Sequence, residues 1–366
     1  MTVKIPIEYI AFFNHSGYSI AAQNYILSLY RSKRYNINIK PLGNKISKKS
    51  ISKQRYDIFK SLKSNSNTKD KIQIYHCIPT IQKRTKKVDK NIGFATFETY
   101  NPPQKWIDIL NKNNGLITPS EFNYNIFAHS RLKKPLFHIS HCIDFDLYDN
   151  IKPLFKNNKF KFLFIGRWKE RKGYKTLIEA FLNEFNQNDS VELYIKTDKV
   201  DKAKAFVHKM KKVFKNSKGF ASIFFESQVY NNEELLSFIK SFDCMILPTM
   251  GEGFCIPGLQ CMALNIPVII TQFSGCTDYA KDETCFCLKP KGFVMKRNMD
   301  SIPQFSNKKW AYIDVKQIRR NMRNVIEDKI NVEKKISRAY EFVNKNFNYK
   351  ITEQKFRKML GTLYNV

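Results

Sequence analysis

Short apolar runs alternate with longer segments of helical periodicity along most of the chain. Short apolar runs favour buried strands, whereas apolar positions three and four residues apart favour helices. Because this alternation occurs twice, we predict two α/β domains, each a parallel sheet wound with helices on both faces. The predicted strands of the first half are IEYIAFF (7–13), IQIYHCI (72–78), NIGFATF (91–97), GLITP (115–119) and LFHIS (136–140).

The second half of the chain begins the same pattern again. Its predicted strands are KFLFIG (161–166), VELYIK (191–196), SIFFES (222–227), CMILPT (244–249) and IPVIIT (266–271). Periodicity lapses over YDNIKPLFKNNK (148–159), which we interpret as the hinge. We therefore predict an N-terminal Rossmann-like domain over 1–152, a C-terminal one over 153–345 and a final helix over 346–366. Doubly wound domains bind ligands beyond the carboxyl ends of their strands, so we expect a cleft between the two.

A glycine-rich acidic loop joins one predicted strand to the next helix. In MGEGFCIPGLQCMAL (250–264), Pro257 suits the first turn of a helix, whose free N–H groups attract anions. Gly251 and Gly253 let the backbone approach a ligand, and Glu252 adds a carboxylate. A carboxylate beside anion-binding amides suits a ligand that carries both phosphates and hydroxyls. The alternative is that Glu252 only caps the helix.

A second strand, loop and helix, FIGRWKERKGYKTLIEAF (164–181), carries cations in its loop. Arg167 can bind two oxygens of a diphosphate, and Lys172 adds a second positive charge. Gly173 permits the turn into the helix. At the carboxyl end of the first strand of its domain, this pair is typical of a nucleotide-diphosphate site. The alternative is a pair of surface cations without a ligand.

The formal charge of +31 is the strongest signal in the composition. A positive field of this size attracts nucleic acid, anionic lipid or acidic substrates, but lysine is spread along the whole chain. Residues 41–90 contain fourteen Lys or Arg against three Asp and no Glu, in the runs KISKKSISKQR (45–55) and QKRTKKVDK (82–90). These runs are either solvated loops and helix faces or a basic surface that meets an anionic membrane or acceptor.

The rest of the composition excludes several classes of protein. A hydrophobic content of 43% supports globular cores, and no run approaches the roughly 18 apolar residues of a membrane span. The first residues lack the cleavage site of a secretory signal. The eight cysteines are scattered, and the spacing of Cys285 and Cys287 fits neither a zinc knuckle nor a redox motif. We expect a reduced cytoplasmic protein, with a peripheral position at a membrane surface as the alternative. Without a GxxxxGK[ST] sequence it is not expected to be an NTPase.

Two long matches carry a family resemblance. GRWKERKG (166–173) and SFDCMILPTMGEGFCIPGLQCMALNIPVIITQFSGCTDY (241–279) resemble the donor-binding half of retaining glycosyltransferases of family 4, which have the two-domain GT-B fold. Weaker matches extend the resemblance over nearly the whole chain: SGYSIAAQNYILSL (16–29), FETYNPPQKWIDILNKNNGLITPSEFN (97–123), HCIDFDLYD (141–149) and WAYIDVKQIRRNMRNV (310–325). The resemblance implies that the last helix crosses back onto the first domain.

The resemblance also assigns roles to single residues. The donor-binding residues that it implies are Gly17, Arg167, Lys172, Gly253, Phe254, Cys255, Ile256 and Gln260, and the catalytic ones are Glu252 and Glu98. Arg167 and Lys172 would hold the donor diphosphate, and Glu252 would hydrogen-bond the transferred sugar. The donor would be a UDP- or GDP-sugar, with no metal and no other cofactor required.

Two positions depart from the family pattern. The second acidic residue of the donor loop, which usually meets the ribose hydroxyls, is Gln260 here, and glutamine gives up a charge-assisted hydrogen bond. Many members place a histidine where this chain has Glu98. We interpret Glu98 as a residue near the transferred sugar or the acceptor hydroxyl, with a helix cap or a hinge residue as the alternative. In the turn NHSGYS (14–19), Gly17 would offer amides to the donor phosphates, and His15 is its neighbour.

The implied activity is that of a hexosyltransferase. It would move a hexose-type sugar to an unknown glycan, lipid-linked or other acceptor with retained configuration, while cations stabilise the leaving diphosphate. Asp144 and Asp146 have the DxD spacing that binds a divalent cation in GT-A glycosyltransferases. Asp144 lies at the end of the first predicted domain, so we interpret it as fixing the interdomain segment rather than binding a cation.

Two further hypotheses follow from the charge. One is a catalytically inactive, basic GT-B-like module that binds nucleic acid or another polyanion. The intact Arg167, Lys172 and Glu252 argue against it, because a binding module has no need of a sugar-diphosphate pocket. The other is sugar transfer onto an anionic acceptor, whose binding would depend on salt. No obligate protein partner is evident.

Overall fold

The computed structural model describes residues 4–63, 70–82 and 90–365. The chain forms two compact units. Unit 1 consists of Met1–Leu147, Val229–Glu234 and Asn344–Val366, and unit 2 consists of Tyr148–Gln228 and Leu235–Val343.

Strands and helices alternate through most of the described residues. The strands are β1 (Ile5–Phe13), β2 (Tyr35–Ile46), β3 (Ile72–His76), β4 (Asn91–Phe94), β5 (Gly115–Thr118), β6 (Leu136–His138), β7 (Phe160–Ile165), β8 (Val191–Lys196), β9 (Ser222–Glu226), β10 (Cys244–Leu247), β11 (Val268–Thr271), β12 (Phe286–Leu288), β13 (Gly292–Lys296) and β14 (Lys308–Tyr312). The α-helices are α1 (Gly17–Arg31), α2 (Lys53–Leu62), α3 (Gln104–Leu110), α4 (Glu121–Ala128), α5 (Tyr174–Glu184), α6 (Val200–Phe214), α7 (Asn232–Lys240), α8 (Ile256–Ala263), α9 (Val315–Glu327), α10 (Lys329–Asn346) and α11 (Tyr349–Tyr364).

Each unit contains a six-stranded parallel sheet, as the alternating pattern predicts. The order in unit 1 is β2-β1-β3-β4-β5-β6, and the order in unit 2 is β12-β11-β10-β7-β8-β9. The ten predicted strands are all present, with ends that differ by a few residues. Central strands such as β3 and β10 are buried at every position, which explains why they read as unbroken apolar runs. The fold class is therefore the predicted one, two Rossmann-like α/β sheets.

Three features of the fold were not predicted. β2 lies at the edge of its sheet beside β1, and its sequence, YNINIKPLGNKI, alternates apolar and polar residues without a long apolar run. β12 is an edge strand of the sheet in unit 2 and is only three residues long. β13 and β14 form a separate antiparallel hairpin in unit 2. The search for apolar runs missed β2 and the hairpin because they have polar faces, and it missed β12 because that strand is short.

The final helix packs inside unit 1. Phe356 of α11 lies edge-on to Tyr25 of α1, with ring centroids 5.3 Å apart. Ser28 donates a hydrogen bond to the carbonyl of Tyr349 over 2.8 Å. Because Phe356 and Leu360 are fully buried in the core of unit 1, α11 is part of that core. Burying these apolar side chains removes their surface from water and thereby stabilises unit 1.

The first basic run contains both exposed and buried cations. Residues 45–55 span the end of β2, a turn and the start of α2. Lys45, Lys48 and Lys49 are exposed, but Arg55 is 4% exposed and bonds Asp144. The second run, 82–90, lies outside the described residues except at its two ends.

Two sequence-level expectations concern membranes and thiols. Within residues 4–63, 70–82 and 90–365, no helix combines the length and apolar content needed to cross a membrane. All eight cysteines are free thiols; seven are buried, and Cys287 is partly exposed.

Candidate active site

The order of strands in unit 2 reverses between two central neighbours, β7 and β10. Strands β8 and β9 lie on one side of this pair, and β11 and β12 lie on the other. In open α/β sheets, ligands bind beyond the carboxyl ends of the strands at such a reversal. The loops that follow β7 and β10 carry the predicted donor residues, and both loops leave the sheet at this edge.

The loop after β7 turns sharply before α5. Residues 170–172 form one 3₁₀ turn that ends at Gly173 in the left-handed conformation, with φ of 77°. A β-carbon at Gly173 would lie 1.9 Å from the carbonyl oxygen of Pro248. Only glycine fits both this backbone conformation and this contact. The close approach brings the loop after β7 against the end of β10.

Glu252 lies buried in the loop after β10 and is held by two cations. Its Oε1 is 2.6 Å from the ammonium of Lys172 and accepts a 3.1 Å hydrogen bond from the Thr249 hydroxyl. Its Oε2 is 3.3 Å from the guanidinium of Arg171. The Glu252 side chain is 7% exposed, against 15% for Arg171 and 21% for Lys172. A buried carboxylate in this setting needs such partners, because an unpaired buried charge is costly.

The balance of these effects keeps Glu252 ionised. Burial by itself raises the pKa of a carboxyl group, but here the charges of Lys172 and Arg171 and two hydrogen bonds lower the pKa of Glu252 below its usual value. The backbone N–H of Glu252 donates to the hydroxyl of Ser274 over 2.7 Å, which fixes the loop. Glu252 is therefore a rigidly held anion, not a simple helix cap.

Arg167 lies in a different environment from Lys172. Its side chain is 74% exposed, and its Nε is 3.4 Å from Asp198. Asp198 also accepts a 2.8 Å hydrogen bond from the N–H of Trp168, so it orders the turn after β7. An exposed ion pair of this kind is weak, on the order of 0–1 kcal/mol. The Arg167 guanidinium is thus accessible to an anionic ligand.

The helix α8 begins beside Glu252. Cys255 precedes its first turn with φ of 69°, and Pro257 stands within that turn. A β-carbon at Gly275 would lie 1.9 Å from the carbonyl of Gly253, so the segment after β11 presses directly on this loop. The remaining donor residues predicted here, Phe254, Ile256 and Gln260, are buried.

Sequence reasoning missed four polar residues of this cluster, namely Arg171, Thr249, Ser274 and Asp300. Arg171 is next to Lys172, and Thr249 follows a buried strand three residues before Glu252, so both could have been identified. Asp300 approaches Arg171 to 3.3 Å from the segment between β13 and β14. No motif marks Asp300, since it is far from the loop in sequence.

The other candidates lie in unit 1. Gly17 is the exposed first residue of α1, and a β-carbon there would meet nothing within 4 Å. The N-cap of this helix is Ser16, whose side chain accepts a hydrogen bond from the N–H of Ser19. Glu98 lies half-buried in the segment after β4, and His15 is exposed. Gly17 follows β1 at the reversal between β1 and β3, the equivalent place in the first sheet.

The DxD aspartates face arginines in unit 1. Asp144 is 4% exposed and bonds Arg31 over 2.7 Å and Arg55 over 3.1 Å. Asp146 is exposed and pairs with Arg31 over 2.9 Å. These contacts explain the two carboxylates as parts of an ion-pair network. Among the residues that the structure describes, no group of three or more His, Cys, Asp or Glu is arranged to hold a metal ion.

Comparison with known proteins gives one family match and one curated relative. Residues 149–336, just over half of the chain, match the family Glycosyl transferases group 1. Protein CapJ of Staphylococcus aureus is 25% identical over 138 residues, which are 37% of this chain and 33% of CapJ. The chain thus matches about a third of the length of this relative.

Solved structures resemble the chain over most or all of its length. Anabaena HepE, in complex with UDP and glucose, has a TM-score of 0.62 at 11% identity and covers 98% of this chain and 100% of its own. Sucrose-phosphate synthase from Thermosynechococcus elongatus has a TM-score of 0.66 at 12% identity, with 99% and 100% covered. A mutant of S. aureus TarM, solved with fondaparinux, α-GlcNAc-glycerol and UDP, has a TM-score of 0.58 at 15% identity, with 82% and 56% covered.

The two kinds of comparison support different statements. At identities of 11–15%, the structural neighbours establish the fold alone. The family match covers the unit in which Glu252, Lys172 and Arg167 lie. The chain therefore belongs to the glycosyl transferases group 1 family and has the GT-B fold.

Proposed function

We propose that this glycosyltransferase moves a hexose-type sugar from a UDP- or GDP-sugar to an acceptor hydroxyl with retention of configuration. The observation that carries the proposal is the ionised, buried Glu252 beside the first turn of α8, at the strand reversal of unit 2. Such a site offers cations and amides to phosphate and a carboxylate to sugar hydroxyls. The structural neighbours HepE and TarM were solved with UDP, which supports a nucleotide donor.

The donor diphosphate would bind to cations and amides of unit 2. Arg167 is exposed, and its weak pair with Asp198 can give way to a doubly charged phosphate. Lys172 supplies a second charge, and the amides of residues 253–256 precede or begin α8. These groups neutralise the charge that develops on the leaving diphosphate, so the reaction would need no metal ion or other cofactor.

Glu252 would orient the transferred sugar. Its Oε2 bonds Arg171 and, as a carboxylate oxygen, has capacity for another hydrogen bond from a sugar hydroxyl. In the reaction, the bond from the anomeric carbon to the diphosphate oxygen breaks and a bond to the acceptor oxygen forms on the same face. The acceptor proton passes to a donor phosphate oxygen. Gln260 would offer the ribose a neutral partner in place of a charged one.

Unit 1 would serve the acceptor. We place Glu98 near the acceptor hydroxyl or the transferred sugar, and the amide of Gly17 near the donor phosphates. The acceptor would be a glycan, a lipid-linked glycan or another anionic molecule. The exposed Lys45, Lys48 and Lys49 support peripheral contact with an anionic membrane through the basic stretch 45–90.

The proposal is tested by thermal unfolding with a panel of UDP- and GDP-sugars in EDTA. A donor at 100 times its dissociation constant should add about 2.7 kcal/mol to the free energy of unfolding. Lys172→Met should reduce this gain, whereas Lys175→Met, which alters an exposed lysine three residues away, should keep it. The anomeric configuration of the product, measured by NMR, tests retention.

The opposite result would favour another class of function. If no nucleotide sugar stabilises the protein, while duplex DNA or anionic vesicles do, the chain is a basic binding module. In that case binding should weaken steeply with salt.

A further inference from the structure

The hairpin of β13 and β14 reaches into the candidate active site. Its connecting segment, 297–307, contains Asp300, whose side chain is 0% exposed. Asp300 and the next residue, Ser301, have φ of 59° and 57°. Two successive left-handed residues other than glycine are unfavourable, so surrounding contacts must hold the segment in this form.

Those contacts join the hairpin to the loop after β7. The carboxylate of Asp300 lies 3.3 Å from Nε of Arg171, within ion-pair distance but without hydrogen-bond geometry. Its other oxygen accepts a 3.3 Å hydrogen bond from the backbone N–H of Arg171. Lys169 donates a 2.8 Å hydrogen bond to the carbonyl of Asp300. The guanidinium of Arg171 also faces the ring of Phe305, 5.7 Å from its centre. The hairpin therefore holds both the backbone and the side chain of Arg171.

The far end of Arg171 meets the donor loop. Its Nη1 lies 3.3 Å from Glu252 and donates a 3.2 Å hydrogen bond to the carbonyl of Gly251. The result is a chain of alternating charges, in the order Asp300, Arg171, Glu252 and Lys172. Glu252 therefore contacts two cations, Lys172 and Arg171, and it shares Arg171 with Asp300.

That second cation explains how Lys172 can act on a ligand. If Lys172 were the single partner of Glu252, its transfer to a phosphate would leave a buried carboxylate without a counter-ion, which is unfavourable. Arg171 cannot move in the same way, because Asp300 and Phe305 hold it. Glu252 thus keeps one cation, Arg171, and the hydroxyl of Thr249 as partners when Lys172 turns to the donor.

We propose that Arg171, fixed by Asp300, is the permanent counter-ion of Glu252 and thereby frees Lys172 to bind the donor diphosphate. Asp300 is then a positioning residue that acts through Arg171 and need not touch the donor. This inference rests on the proposed function, since it requires a diphosphate beside Lys172. It gives the hairpin a role in donor binding.

The test is a double-mutant cycle measured by calorimetry with UDP and with GDP. Arg171→Gln and Asp300→Asn should each weaken the binding of the nucleoside diphosphate at least tenfold, or about 1.4 kcal/mol. The same two substitutions should weaken the binding of the matching nucleoside monophosphate less. In a Lys172→Met background, Arg171→Gln should weaken binding little further. Arg171 acts by freeing Lys172, and that lysine is already absent.

Two controls separate this role from a structural one. Arg171→Lys keeps the positive charge and should recover part of the affinity that Arg171→Gln loses. Asp282→Asn, which removes an exposed partner of Lys289, should bind like the unaltered protein. Thermal unfolding of each variant without ligand checks that it is folded.

The outcomes decide between the two proposals. If the unaltered protein binds the diphosphate and Arg171→Gln and Asp300→Asn bind it equally well, the counter-ion role is wrong and the proposed function stands. A loss from Arg171→Gln that is as large with Lys172→Met as without it also overturns the counter-ion role. If the unaltered protein binds no nucleoside diphosphate, the proposed function fails and this inference fails with it.

Discussion

The carboxyl edges of the two sheets bury polar groups in opposite ways. In unit 2, that edge buries an ionised carboxylate between two cations, Lys172 and Arg171. In unit 1, His76 ends β3 and His141 follows β6, and both imidazoles are buried among aromatic rings. Burial lowers the pKa of His141 to about 3 and that of His76 well below its usual value. The cluster of unit 2 keeps its charges under burial, whereas the two histidines of unit 1 are held neutral.

The hydrogen bonds of the histidines fit neutral rings. The hydroxyl of Tyr9 lies 2.7 Å from Nδ1 of His76, and the hydroxyl of Tyr25 lies 3.2 Å from Nδ1 of His141. His76 stacks on Phe94 with ring centroids 3.9 Å apart. Buried charge alone does not distinguish the two units, because Asp144 and Arg55 also form a buried ion pair in unit 1. The cluster around Glu252 differs because it lies at the strand reversal of unit 2 beside the exposed cation Arg167, where a ligand can bind, whereas the neutral histidines are accounted for by packing.

The largest effect should come from removing the charge of Glu252. Glu252→Gln keeps the shape of the side chain but leaves Lys172 without its anion and Arg171 with Asp300 alone. We expect the rate of sugar transfer to fall by roughly 10²–10³-fold, the usual effect of losing one preorganised polar group. Steady-state kinetics with the identified donor measures it. A rate within a few fold of the unaltered enzyme would contradict the assigned role.

A smaller effect should appear in the pH dependence of stability, because unit 1 buries a neutral histidine, His141. The folded-state pKa of His141, about 3, lies below the ordinary value of 6.5. The stability due to the neutral ring is therefore present above about pH 6.5 and is lost as the pH falls toward 3. By pH 5, His141 alone should lower the free energy of unfolding by about 2 kcal/mol.

Urea unfolding at pH 8 and pH 5 measures this loss. His141→Gln should lose less stability between the two pH values than the unaltered protein does. His129→Gln, which alters an exposed histidine, should behave like the unaltered protein. Equal pH dependence in all three proteins would show that His141 does not carry the effect.

The smallest expected effect concerns the exposed cation of unit 2. Arg167→Ala should weaken donor binding about tenfold, or about 1.4 kcal/mol, because an exposed side chain contributes less than the roughly 1.5–3 kcal/mol of a charge-assisted hydrogen bond. Because the side chain is 74% exposed, the melting temperature without ligand should hardly change. Calorimetry and thermal unfolding test the two parts. A large loss of stability in the absence of ligand would mean that Arg167 is structural.

The apolar pattern predicted five of the six strands of each sheet. Strands such as CMIL and VIIT read as apolar runs because both of their faces are covered. β2 and the hairpin were missed because each has a face exposed to water, and edge strand β12 was missed because it is only three residues long. Arg167, Lys172 and Glu252 were found because the loops after buried strands of a parallel sheet meet at one edge.

What the sequence determined by itself is local. Periodicity fixed the alternation of strands and helices, and the glycine at position 173 marked a turn that only glycine can make. The tertiary structure decided which charges meet. Arg171 looked like one cation among many, and Asp300 carried no motif, yet folding brings them within 3.3 Å of each other. Ion pairs between distant segments depend on how the whole unit packs, and no pattern along the chain encodes such a distance.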